Sequence, residues 1–162
     1  MAAWQFQFSL IPEAGIKRVH GELVDVLPEY GARAPDGAIK EISEFANYWD
    51  GIETSPWLLE AMEELLPERA SWDNDARMFG SEGKNTVEVW NDDINCRIDM
   101  NQFDPAFLAA IAKIAQKAGC KIVLKEGGRV IDPIFTNLVA EANRSAAKRF
   151  IEDPIAYITQ RR

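Results

Sequence analysis

Residues 86–100, TVEVWNDDINCRIDM, place Glu88, Arg97 and Asp99 around a tight turn. Two carboxylates and a guanidinium at that spacing could serve general acid–base chemistry or bind a divalent cation. Asp92 and Asp93 crowd the turn itself, and Asp73 and Asp75 alternate in DNDARMFGSEG. Extended backbone would set Asp73 and Asp75 on one face. That stretch lacks the D-x-[DN]-x-[DN]-G order of a calcium loop. Carboxylates near Asp73, Asp75 and Asp99 therefore support one reading, a carboxylate- or metal-dependent hydrolase.

Other catalytic sets are missing from the sequence. The single histidine, His20, has Lys17, Arg18 and Glu22 as neighbours, and nothing in its spacing from Cys96 and Cys120 describes a zinc site. No G-x-S-x-G stretch supplies a serine nucleophile. EGGR and the Gly80, Gly83, Lys84 cluster lack the strand–loop–helix setting of a phosphate loop. Cys96 and Cys120 sit in apolar patterns and read as small buried hydrophobes. Neither a cofactor nor a metal is expected.

The tryptophans carry a different signal. Of five, Trp49, Trp57, Trp72 and Trp90 lie in or beside the most acidic part of the chain, together with Glu60, Glu64, Asp73 and Asp75. Aromatic rings beside carboxylates suit a protein surface that receives a basic partner. The formal charge of −8 is unevenly spread. Residues 1–100 hold 20 acidic and 8 basic side chains, whereas residues 101–162 hold 6 and 10. Between residues 41 and 75, ten carboxylates face the single base Arg69. Such a field opposes nucleic acid and steers a basic protein.

The function expected is thus a small acidic cytosolic binding protein, an inhibitor or antidote docking on a basic macromolecular partner. Its contact residues would be Trp49, Trp57, Trp72, Trp90, Glu60, Glu64, Asp73 and Asp75. A third reading is a structural or oligomer-forming protein, with the late bases Arg144, Lys148, Arg149, Arg161 and Arg162 meeting the acidic first half. The cytoplasm is the expected location. MAAWQFQFSLIP has neither the charge nor the apolar core of a signal peptide, and no run reaches the length of a membrane span.

The elements that must hold these groups follow from periodicity. A length of 162 residues suits one domain. Trp4, Phe6 and Phe8 alternate with glutamines, the period of a half-buried strand. Residues 13–27 bring Ile16, Val19, Leu23, Val26 and Leu27 round at helical spacing, and a short helix is expected over 38–48. Ser55-Pro56 opens a helix carrying Leu58, Leu59, Met62, Leu65 and Leu66. Residues 76–79, 86–90 and 94–100 form an antiparallel meander.

Three Asp-Pro pairs, at 104, 132 and 153, each read as a helix start. KIVLK, residues 121–125, is a strand, followed by a turn at EGGR and a brief return at Val130 and Ile131. The fold class is α+β: an antiparallel sheet of about four to six strands, with helices packed mainly on one face.

In the hairpin, a turn at Asp92-Asp93 sets Val89 opposite Cys96, Glu88 opposite Arg97 and Thr86 opposite Asp99. A turn at Asn91-Asp92 shifts every partner by two residues and keeps each side chain on its face.

Overall fold

Alternating apolar residues on a strand bury one face, and an apolar stripe on a helix must find that face. The computed structural model, which describes residues 2–31 and 46–160, shows this pairing throughout. The chain begins with β1 (Gln5–Pro12), α1 (Glu13–His20) and a single turn, α2 (Pro28–Gly31). Next come α3 (Pro56–Leu65), β2 (Glu68–Arg69), β3 (Arg77–Gly80), β4 (Thr86–Val89) and β5 (Ile94–Asp99). The remainder is α4 (Pro105–Lys117), β6 (Cys120–Leu124), β7 (Val130–Ile131), α5 (Phe135–Arg144), α6 (Ala146–Glu152) and α7 (Pro154–Thr159).

The strands form one antiparallel sheet of seven, in the order β2-β3-β4-β5-β1-β6-β7. The fold is α+β. The brief return expected at Val130 and Ile131 is β7, and the strand count exceeds the expected range through β2, an edge of only two residues. No alternation can be read from so short a segment.

Phe6, Phe8 and Leu10 face a layer built from α3, α4, α5 and α6, where Leu58, Met62, Leu108, Ile111, Leu138 and Ala142 are buried. The opposite face holds a smaller cluster of Ile11, Ile16, Leu27, Tyr48 and Val123. β1 lies between β5 and β6, so it is buried along nearly its whole length rather than half-buried. Gln7 and Ser9, expected on a wet face, are 9% and 0% exposed.

Two further expectations are corrected. The helix over 13–27 stops at His20, because Gly21 takes a left-handed conformation with φ of 80° and closes it. Leu23 and Val26, beyond its end, are exposed, as is Val19 within it. The helix expected over 38–48 lies largely outside the described residues, and Ala46 to Tyr48 are not helical.

Asp104 and Asp153 do cap α4 and α7, accepting from the backbone N–H of Ala106 and Ala156 at 3.0 and 2.9 Å. Asp132 does not. α5 begins later, at Phe135, with Ile134 before it, and Asp132 instead pairs with Lys121 Nζ at 2.5 Å.

Candidate functional site

The hairpin adopts the Asn91-Asp92 turn. Thr86 pairs with Arg97, Glu88 with Asn95 and Val89 with Ile94, while Trp90 N–H donates to the Asp93 carbonyl at 2.8 Å. The alternative register is therefore the one realised, and Glu88 meets Arg97 diagonally. Arg97 Nη1 donates to Glu88 Oε1 at 2.6 Å, and Trp90 Nε1 lies 3.4 Å from Glu88 Oε2. Arg69 Nη2 stands 3.9 Å away. Glu88 is only 7% exposed, so these donors replace water around a carboxylate that the sheet has desolvated.

Trp90 lies on the same face as Glu88 and supports a second indole. The Trp72 ring sits 5.5 Å from that of Trp90, tilted by 59°, and is 77% exposed. Its loop is held by its own polar groups. Ser71 Oγ donates to the Asp73 carbonyl at 2.6 Å, and Asp73 Oδ1 accepts from Asp75 N–H at 2.8 Å. Asp73 therefore shapes the loop, leaving the exposed Asp75 side chain without an ion pair among the described residues.

Beside Trp90 opens a cleft of about 450 Å3, lined by Glu29, Tyr30, Asn47, Trp90, Asp92, Asp93 and Lys125. Asp93 Oδ2 accepts from Ser9 Oγ at 3.1 Å and lies 3.5 Å from Lys125 Nζ. Burial raises the Asp93 carboxyl above the usual range, against the opposing pull of Lys125 and Ser9. Lys125 Nζ also stands 4.5 Å from the centre of the Tyr30 ring. Burial, and then the nearby Asp93, push the Tyr30 hydroxyl well above the usual phenol range. Tyr48 is raised in the same direction by burial and by Glu29, to which its hydroxyl donates. His20 Nε2 lies 3.0 Å from that hydroxyl.

Hydroxyl, imidazole and thiol groups near these residues are engaged or buried. Ser9 is fully buried, and its hydroxyl is committed to Asp93. His20 is engaged with Tyr48. Both cysteines are buried and free, and burial pushes the Cys120 thiol up to about 12 and that of Cys96 higher still. Neither supplies a thiolate.

The expected contact residues fall in three places. Trp72, Asp73, Asp75 and Trp90 share the corner just described. Trp57, Glu60 and Glu64 line a separate groove between α3 and α4. Trp49 belongs to the main core at 5% exposure, where its Nε1 donates to the Leu10 carbonyl at 3.3 Å.

Asp99, grouped with Asp73 and Asp75 in the hydrolase reading, is 6% exposed and accepts from Asn101 N–H at 2.9 Å, capping a turn after β5. No group of three or more His, Cys, Asp or Glu side chains converges to hold a metal among the described residues.

Sequence reasoning missed Ser9, Glu29 and Lys125. Only the placement of β1 between β5 and β6 brings Ser9, Asp93 and Lys125 together, and no local pattern announces it. Comparison with family models, with curated proteins and with solved structures finds no match to this chain.

Proposed function

We propose that this protein is an acidic binding module, an inhibitor or antidote that masks a basic site on a macromolecular partner. The contact surface is the corner formed by Trp72, Trp90, Asp75 and Asp92. One observation carries the reading: Trp72 is 77% exposed yet packed against a second indole. An isolated exposed tryptophan swings freely, whereas one braced against Trp90 presents a rigid apolar plate. Such plates are the usual anchors of protein interfaces.

The carboxylates around it set the sign of the partner. Residues 1–100 carry 20 acidic and 8 basic side chains, and Asp75 and Asp92 stand exposed beside the plate. Their field speeds encounter with a basic surface, and the indole pair then fixes the docked pose. In the cleft next to the plate, Lys125 already stands over Tyr30 and beside Asp93, and Glu29 accepts from Tyr48, which leaves the exposed Asp92 as its open carboxylate.

The test is capture from the native host with wild-type protein and with Trp72→Ala, at low and physiological salt. The expected result is one partner with a strongly basic patch, retained by wild type and lost by the variant. Equal recovery by both proteins, or recovery of nothing at either salt, overturns the reading.

A further inference from the structure

Away from that corner, the groove between α3 and α4 carries charges of both signs that no ion pair among the described residues neutralises. α3 presents Trp57, Glu60 and Glu64, and α4 presents Lys113, Ile114 and Lys117, across about 320 Å3. Trp57, Glu60 and Glu64 fall on one helical face, and Lys113 and Lys117 are one turn apart on theirs. One wall is therefore acidic and the other basic. All four charged side chains are exposed, and none forms an ion pair among the described residues. Elsewhere neighbouring charges close up readily, as in Glu13 with Lys17 at 2.8 Å and Arg97 with Glu88 at 2.6 Å.

We propose that this groove is the contact between two copies of the chain, related by a two-fold axis running along it. Rotation about that axis lays the α3 of each copy on the α4 of the other. Both acidic walls then meet both basic walls at once. An axis across the groove would lay α3 on α3 and set like charges together, so charge selects one symmetric arrangement. The floor suits closure. Ile114 is nearly covered, and the half-buried Trp57 ring lies under Lys117 Nζ at 4.2 Å. Helices of ten and thirteen residues make a contact of the small, reversible class, governed by concentration and salt. This inference stands apart from the Trp72 corner and does not depend on it.

Sedimentation at about 20 mM and about 500 mM salt, where the Debye length changes severalfold, reads the outcome. Wild type is expected to dimerise with rising concentration at low salt and to dissociate at high salt. The pair Glu60→Lys with Glu64→Lys gives an all-basic groove, and the pair Lys113→Glu with Lys117→Glu an all-acidic one. Each variant alone should be monomeric, and an equimolar mixture should form a heterodimer, which also shows that both are folded. Trp72→Ala should dimerise as wild type does. A wild type that stays monomeric at low salt, leaving the groove to a foreign partner, overturns the proposal. So does a dimer indifferent to both reversals, or a mixture of folded variants that stays monomeric.

Discussion

Gly15→Ala sets two effects of opposite sign against each other. Gly15 lies inside α1, where alanine is favoured over glycine by about 1 kcal/mol on helix propensity alone. A Cβ at that position would stand 1.8 Å from the Tyr48 carbonyl oxygen and 2.8 Å from its carbonyl carbon. Ordinary contact needs about 3.5 Å, so the Tyr48 backbone must retreat by well over an ångström.

That segment has no slack. The Tyr48 ring is fully buried in the second cluster, its hydroxyl engages Glu29 and His20, and the adjacent Trp49 reaches the main core. Overpacking costs about 1–3 kcal/mol when side chains can adjust. Here backbone must move, so the net loss is expected at about 2 kcal/mol or more after the propensity gain. At about 2–4 °C per kcal/mol for a chain of this size, the melting temperature should fall by at least about 4–8 °C. Thermal and denaturant unfolding would both read it. An unchanged or raised midpoint would refute the close approach of α1 to Tyr48.

The tryptophans should separate by burial: Trp72→Ala should change stability by less than about 0.5 kcal/mol, whereas Trp49→Ala should cost about 3–5 kcal/mol, measured by denaturant unfolding. Asp93→Asn tests the buried carboxyl. Because the folded state raises its pKa, the native protein holds the proton more tightly than the unfolded chain, and the ionised form is penalised as pH rises above about 4. The stability of Asp93→Asn relative to wild type should therefore climb with pH across that window, and a flat difference between pH 4 and 7 would count against the assignment. Both thiols should react fully with a disulfide reagent in denaturant without prior reduction, and slowly in the native state, since Cys96 and Cys120 are free and buried.

Local chemistry made much of the fold readable. The faces of β4 and β5 followed from alternation alone, because a shift of two residues in register leaves every side chain on its side. Asp104 and Asp153 followed from the needs of free N–H groups at a helix start. Asp132 has the same Asp-Pro signature but a different role, because Lys121 on the neighbouring β6 competes for its carboxylate. The end of α1 turned on one glycine whose φ a periodicity argument does not see. Ser9 looked solvent-facing because its partner, Asp93, comes from a remote part of the chain. The cleft was illegible for the same reason. Glu29, Tyr30, Asp93 and Lys125 meet only after β1 has paired on both edges.

Charge shows most clearly what folding adds to a sequence. Counted along the chain, residues 41–75 hold ten carboxylates and a single base. In the structure Arg77 takes both Glu63 and Glu68, Arg18 stands 3.9 Å from Asp50, and Arg69 and Arg97 converge on Glu88. Those carboxylates are largely cancelled at close range and contribute little to a field felt by an approaching molecule. The acids left exposed and unpaired among the described residues include Asp75 and Asp92 at the indole corner and Glu60 and Glu64 on α3. The first pair flanks the exposed Trp72, and the second faces two lysines across a groove. An even acidic coat would serve solubility wherever its charges lay. Pairing of Glu63, Glu68 and Glu88 leaves Asp75 and Asp92, and Glu60 and Glu64, among the acids still open, at the two surfaces proposed above for a basic partner and for a second copy of the chain.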